Sequence, residues 1–259
     1  MKIVLIGAGN LATNLGKALL DAGHDIMQVY SRTMESASAL AIEVGGAPVT
    51  DIDRVSFDAD VYILSVKDSV IADIVPELCK GRQTKVFLHT AGSVAMDVFD
   101  GMALHYGVLY PMQTFSKHKQ VNFNEIPCFV EGNDEYTFET VNDLANSISE
   151  RVYLLSSDAR KYLHLAAVFA CNFVNHCYEI SSEILEKHNI PFDVMLPLID
   201  ETANKVHSLS PKDAQTGPAV RYDENIIRRQ AEILKENHMF KQIYECMSLS
   251  IHHTAIKKK

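Results

Sequence analysis

Ile3-Val4-Leu5-Ile6-Gly7-Ala8-Gly9-Asn10-Leu11-Ala12 is the stretch that decides the fold. Four consecutive apolar residues read as a buried strand, and they run directly into a G-x-G-x-x-A turn. The apolar helical stretch that follows, Leu15 to Leu20, ends at Gly23. Strand, glycine turn and helix in this order form a dinucleotide-binding βα unit. Gly7 permits the tight turn, Gly9 lets backbone approach a pyrophosphate, and Ala12 is small enough for helix and strand to pack closely. The helix N-terminus, at Asn10 and Leu11, offers unpaired N–H groups and the positive end of its dipole to phosphate.

The second strand, Ile26 to Tyr30, ends in Ser31-Arg32-Thr33. A site for NAD places Asp or Glu about 20 residues past the glycines to bond the ribose 2′-hydroxyl. A carboxylate there would repel a 2′-phosphate, whereas a hydroxyl and a guanidinium bind one by charge-assisted hydrogen bonds. The expected cofactor is therefore NADP(H), with Ser31, Arg32 and Thr33 as the phosphate clamp.

Composition narrows the function. In 259 residues, 47% are apolar and 22% charged, enough for one large domain or two modest ones. The net charge of −9 argues against a nucleic-acid or membrane-surface role. The five cysteines form no C-x-x-C pair, so reduced thiols in a cytoplasmic protein are expected. No apolar run reaches membrane-spanning length. The apolar N-terminus is the first strand, too short and glycine-bound for a signal peptide.

Further helices are expected at Glu35 to Val44, closed by Gly45-Gly46, and after Lys67-Asp68 as far as Gly81. Further strands are expected at Ala59 to Val66, Lys85 to His89, Ala103 to Tyr110, Ile126 to Glu131 and Val152 to Leu155, with a helix from Tyr136 to Ile148. This alternation predicts an α/β fold with a parallel, doubly wound Rossmann sheet over residues 1–155. From Ser156 the strand signals vanish. Asp158 to His188 reads as one long helix capped by Ser157 or Asp158, Phe192 to Ser208 as the next, and Asp223 to Ser250 as a second long one. Residues 156–259 are thus expected to be an all-α domain, ending in a frayed, solvated Lys257-Lys258-Lys259.

Ligands of open α/β sheets lie outside the carboxyl ends of the strands. Val66 and Lys67 follow one strand, and Thr90 and Gly92 another; both pairs are expected along the cofactor, the second nearest the nicotinamide. Tyr110-Pro111-Met112-Gln113-Thr114 follows a third, and Gln113 is expected to face substrate. In the helical half, His164 and Asn172 stand in otherwise apolar sequence, where polar side chains need partners. One reading is a hydrogen-bonded core histidine and an asparagine tying helices together. The other makes His164 a proton donor or substrate polariser, since histidine titrates near neutrality, with Asn172 holding a substrate oxygen or the nicotinamide amide. In Thr216-Gly217-Pro218-Ala219-Val220-Arg221-Tyr222-Asp223, Thr216 is expected to cap a helix with Pro218 in its first turn, and Arg221 to hold a substrate carboxylate or organise Asp223. No metal site is expected: His252-His253 lacks ligands at the right spacing, and His238 and Cys246 belong to helix faces. Hydrolase and kinase motifs are absent from the sequence.

These residues resemble the NADP oxidoreductases that join a Rossmann-like domain to a C-terminal helical domain of unassigned function. More distantly, the chain is similar to the 6-phosphogluconate dehydrogenase-like superfamily, which includes pyrroline-5-carboxylate reductase. The marks are Gly7 to Ala12, Tyr110 to Phe115, His164-Leu165-Ala166-Ala167 with Asn172, and Thr216-Gly217-Pro218 with Arg221 and Asp223. That family usually has a glycine where this chain has Tyr222. The resemblance implies NADP(H) binding, a cleft between the two domains and a homodimer formed through the helical half. The superfamily's hydroxyacid dehydrogenases carry a catalytic lysine four residues before an asparagine; the position four before Asn172 is Val168, which leaves His164 as the obvious acid. The expected activity is NADPH-dependent reduction of a small anionic carbonyl or imine. The alternatives are a non-catalytic NADP(H)-binding sensor or regulatory protein, which the missing lysine favours, and a site for another adenine ligand, which Arg32 disfavours.

Overall fold

The computed structural model describes all residues except 118, 120 and 257–259, so the Lys257-Lys258-Lys259 end lies outside the described residues. Two compact units emerge, Met1–Cys171 and Asn172–Lys259. The strands stop earlier, at Leu154, near the sequence-based division at 155; the first unit also keeps the helix that follows.

The first unit alternates β1 (Lys2–Ile6), α1 (Asn10–Asp21), β2 (Asp25–Tyr30), α2 (Met34–Val44), β3 (Ala47–Val49), β4 (Val61–Leu64), α3 (Asp68–Cys79), β5 (Val86–His89), β6 (His105–Pro111), β7 (Cys128–Gly132), α4 (Glu135–Ile148) and β8 (Val152–Leu154). The strands form one sheet in the order β3-β2-β1-β4-β5-β6-β7-β8. Neighbours are parallel except β6 and β7, which pair antiparallel from Gly107↔Gly132 to Pro111↔Cys128. The doubly wound, parallel sheet expected from the sequence is thus mostly parallel, with this one pair reversed. Among the described residues no α-helix lies between these two strands, and without a crossover the chain returns antiparallel.

The central strands β1, β4 and β5 are buried on both faces, which explains the unbroken apolar run of β1. Ile3 and Leu5 enter one core with Leu15 and Leu19 of α1 and Val141 and Leu144 of α4. Val4 and Ile6 enter the opposite core with Tyr62, Leu64 and Phe87. Alternation of side chains across the pleat sorts these four residues two and two. Ala12, Leu15 and Leu19 recur at three- and four-residue steps and form the buried stripe of α1. Truncating one such leucine to alanine costs about 2–5 kcal/mol.

After β8 the chain is helical. Ser156, not Ser157 or Asp158, caps α5 (Ser157–Ala167), its Oγ accepting from Ala159 N at 3.3 Å. The expected single helix to His188 is interrupted by a π-helical segment, Val168–Phe173, before α6 (Val174–Glu186). In the second unit α7 (Leu196–Lys205), α8 (Pro211–Ala214), α9 (Pro218–Arg221), α10 (Glu224–Ile233) and α11 (His238–Ile256) follow. The single closing helix expected over Asp223 to Ser250 is thus two, because the side chain of Asn237 accepts from Phe240 N at 3.1 Å and starts a new helix. The described buried residues of this unit are Ala219, Ala231 and Ser248, while Leu196, Leu198, Val206, Met239 and Met247 are exposed. No described helix is long and apolar enough to cross a membrane.

Candidate active site

Along the carboxyl ends of β2, β1, β4, β5 and β6 lies one cavity of about 1030 Å³ within the first unit. Its wall includes Gly7, Gly9, Asn10, Leu11, Ser31 and Arg32 at one end. Val66 and Lys67 follow, then Thr90 and Gly92, and finally Gln113 and His164.

Gly7 has φ +121°, and a Cβ there would lie 2.2 Å from the carbonyl oxygen of Ser65, so both backbone and packing demand glycine. Gly9 differs. A Cβ on it would meet nothing within 4 Å, so the protein's own packing does not require a glycine there. It caps α1 without a side-chain hydrogen bond, leaving bare backbone and a helix N-terminus at the cavity wall. This is the cradle a pyrophosphate needs. The amide of Asn10 is already engaged: Nδ2 donates to Phe115 O at 3.0 Å, and Asn14 Nδ2 donates to Asn10 O at 2.9 Å and to Ser116 O at 3.1 Å. The segment after β6 is thereby tied to the glycine turn, a role for Asn10 that its place in the motif does not announce.

At the end of β2, Ser31 N donates to Val49 O at 3.0 Å, which fixes the turn. Arg32 is exposed on the cavity wall. No hydrogen bond or ion pair engages its guanidinium among the described residues, so a phosphate would meet an uncommitted cation. Thr33, expected in the phosphate clamp, caps α2, its Oγ1 accepting from Ser36 N at 3.4 Å. Ser36, in the first turn of α2, lines the cavity. Thr90 is 6% exposed and its hydroxyl donates to Leu64 O at 3.3 Å, so it ties β5 to β4.

His164, on α5, meets two residues from strand ends. Tyr110 on β6 lies with its hydroxyl 3.1 Å from His164 Nδ1, the rings meeting edge to face. Gly92 lies so close that a Cβ there would be 2.3 Å from His164 Nδ1. Burial, and then the charge of Asp68, push the Tyr110 phenol above its ordinary value, while Arg160 pulls the other way. Sequence reading named His164 and Gly92 and passed over Tyr110 as a site residue.

The helix carrying His164 is anchored one turn earlier. Arg160 is 1% exposed; its Nη1 donates to Glu131 Oε2 at 2.7 Å, and its Nη2 to Val94 O at 2.6 Å and Ser157 Oγ at 3.1 Å. Glu131 in turn accepts from Ser157 N at 2.7 Å and Ser157 Oγ at 2.6 Å. Neither partner was legible as part of the site. At the end of β5, His89 is wholly buried, with Nδ1 accepting from Ala91 N at 3.2 Å. Burial, followed by the charge of Arg160, lowers its pKa to about 4.

Three candidate residues belong to the second unit. Asn172 lies in the π-helical segment. Thr216 is not the expected cap; Gly217, with φ +104°, holds that place and Pro218 opens α9. Arg221 ends α9, and Asp223 caps α10 by accepting from Ile226 N at 3.3 Å. Tyr222 adopts φ 52°, the left-handed conformation that suits the glycine usual at this place, with its ring against His252.

Comparison with known proteins agrees with this geometry. Residues 2–91 match the family described as NADP oxidoreductase, coenzyme F420-dependent, and residues 126–251 match a domain of unknown function, DUF2520. A putative NADP oxidoreductase from Bacteroides fragilis is 52% identical, with 97% of this chain and 98% of that one covered and a TM-score of 0.94. An imine reductase from Myxococcus stipitatus solved with NADP+ shares the fold at 15% identity, with 100% and 95% covered and a TM-score of 0.70. A 1-pyrroline-5-carboxylate reductase from Streptococcus pyogenes does so at 15% identity, with 98% of each chain covered and a TM-score of 0.60. None of the curated proteins compared matches the chain. With a Gly7–Gly9 cradle, an uncommitted Arg32 and a relative identical at half its positions, the chain belongs to the family of NADP oxidoreductases that couple a Rossmann-like coenzyme domain to a DUF2520 domain.

Proposed function

We propose that this protein reduces a small anionic carbonyl or imine at the expense of NADPH. The observation that carries the reading is the shared cavity: the glycine cradle and Arg32 at one end, His164 with Gly92 at the other. Bound NADPH supplies a hydride to the carbonyl or imine carbon. The chain's part is then to hold the cofactor, exclude water and provide a proton to the oxygen or nitrogen. Gly7, Gly9 and the backbone of Asn10 and Leu11 hold the pyrophosphate, and Ser31 and Arg32 the 2′-phosphate. Val66, Lys67, Thr90 and Gly92 flank the nicotinamide half. His164 supplies acid chemistry and Gln113 bonds substrate. Asn172, Thr216 and Arg221 are assigned to substrate on chemistry alone, since amide, hydroxyl and guanidinium all suit a carboxylate. The imine reductase and pyrroline-5-carboxylate reductase among the structural neighbours make cyclic imines the first compounds to try.

The active form is proposed to be a homodimer formed through the helical unit. Exposed Leu196, Leu198, Val206, Met239 and Met247 leave that unit with little core of its own, and a second copy would cover them. A reduced, cytoplasmic setting fits Cys79 and Cys128, buried thiols pushed up to about 12 and thus inert. The test of the reading is NADPH oxidation with a panel of cyclic imines and small keto acids, run with wild type and His164→Ala. Wild type should turn over one class, and the variant should bind NADPH equally yet lose turnover. Full turnover by His164→Ala would remove that residue from the mechanism.

A further inference from the structure

We propose that Tyr110 delivers the proton to the substrate and that His164 refills it, the two forming a proton relay at the far end of the cofactor cavity. This rests on the reductase reading above and assigns a residue, and an order of events, that the reading leaves open.

The order of the strands locates the reacting end. Arg32 follows β2, the glycine turn follows β1, Lys67 follows β4 and Gly92 follows β5, all on one edge of the sheet. From β2 to β5 is three strand spacings, about 14 Å, and β6 lies one spacing of about 5 Å further on. A dinucleotide anchored by phosphate at Arg32 and at the helix N-terminus therefore directs its reactive half towards β5 and β6. Tyr110 is the phenol there, 8% exposed and part of the cavity wall.

Burial sorts the roles within the pair. Tyr110 is enclosed and His164 is half-buried, so the imidazole is the member with access to water. Its orientation is set by three features: Gly92 leaves the space the ring occupies, Tyr110 bonds Nδ1, and Arg160 one turn earlier pins α5 to Glu131. The charged groups acting on the phenol are Asp68, which favours its protonated form, and Arg160, which opposes that effect. With burial added, Tyr110 keeps its proton until negative charge develops beside it.

The chemistry balances. As the hydride's electron pair forms the new C–H bond, the π pair of C=N or C=O moves to nitrogen or oxygen. That atom takes the proton of Tyr110 O–H, whose bonding pair stays on the phenolate oxygen. The phenolate takes the Nδ1 proton of the His164 imidazole as Nε2 takes one from water, and exchange with solvent then restores the Nδ1–H form. The net change consumes NADPH and one proton and yields NADP+ and the amine or alcohol.

The test has two arms. In the first, NADP-free protein carrying 15N-histidine is compared with Tyr110→Phe by NMR. The Nδ1 resonance of His164 should shift in the variant, and an unmoved resonance would overturn the relay whatever the enzyme's activity. In the second, single-turnover NADPH oxidation is followed for wild type, Tyr110→Phe and His164→Ala on the panel compound that wild type reduces. Both variants should keep NADPH affinity, which also certifies their folding, and lose about 100-fold or more in rate. Added imidazole should restore His164→Ala at least several-fold, by refilling Tyr110, and leave Tyr110→Phe unchanged. Near-normal turnover by Tyr110→Phe beside an inactive His164→Ala would make His164 the direct donor and refute the relay. Wild type that reduces no compound, with the NMR shift present, would refute the reductase reading, and with it the relay's chemical role.

Discussion

Replacing Arg160 with methionine should be among the most damaging single changes in the first unit, and its cost can be worked from the contacts. Arg160 and Glu131 are 1% and 11% exposed at their side chains and meet at 2.7 Å. Removing one partner of a buried pair costs about 3–5 kcal/mol, because the other charge remains in a poor dielectric. Here Glu131 would keep both bonds from Ser157, which softens the loss, while Val94 O would lose its donor, which adds to it. The expected loss is about 3–4 kcal/mol. At 2–4 °C per kcal/mol for a domain of this size, Tm should fall by roughly 10 °C. Urea unfolding followed by far-UV circular dichroism and tyrosine fluorescence suits the assay, since the chain contains no tryptophan. A second variant separates charge from shape: Glu131→Leu combined with Arg160→Met removes both charges and should recover most of the loss. A cost below about 1 kcal/mol for Arg160→Met would place the pair with ordinary solvated surface pairs and refute this account of how α5 is held.

Three further outcomes are expected. Arg32→Ala should weaken NADPH binding about tenfold or more while leaving NADH within about twofold, by calorimetry, since one charge-assisted contact is worth roughly 1.5–3 kcal/mol; equal losses for both cofactors would contradict the assignment of Arg32. Gly92→Ala should displace the His164 imidazole, because the new Cβ would lie 2.3 Å from Nδ1, and so reduce turnover with NADPH affinity retained. His89 gives a pH signature. Its folded pKa, about 4, lies below the ordinary 6.5, so the unfolded chain takes up the proton first. The stabilisation is complete above pH 6.5 and is lost as pH falls to about 4, a change of about 3 kcal/mol at most. His89→Gln should flatten that part of the stability profile, and an unchanged slope between those pH values would assign it to other groups.

What the sequence disclosed and what it hid divide along physical lines. The β1–turn–α1 unit was legible because its requirements are local: a buried strand, a positive-φ glycine, a bare helix start. Arg32's place on the cavity wall was legible because the turn after the second strand lies at the carboxyl edge of the sheet. The reversed direction of β7 was not, since strand direction is set by the connection rather than by the pattern within the strand. The break between α10 and α11 was missed because apolar spacing continues across it, although Asn237 three residues before Phe240 is the kind of cap that marks a start. The capping role of Thr33 in the first turn of α2 was not read from the sequence. The contacts around His164 were beyond any local reading. Tyr110 lies 54 residues from it, and Glu131 lies 29 from Arg160, so both pairs exist only once the sheet has formed.

The most direct test of the central claim is single-turnover oxidation of NADPH by the wild-type protein, followed by nicotinamide absorbance against cyclic imines and small keto acids, with NADH in parallel. The account predicts stoichiometric loss of NADPH with one compound class and much slower loss of NADH. Tight binding of NADPH with no oxidation by any compound would contradict it, and would make the cavity a sensor's rather than an enzyme's.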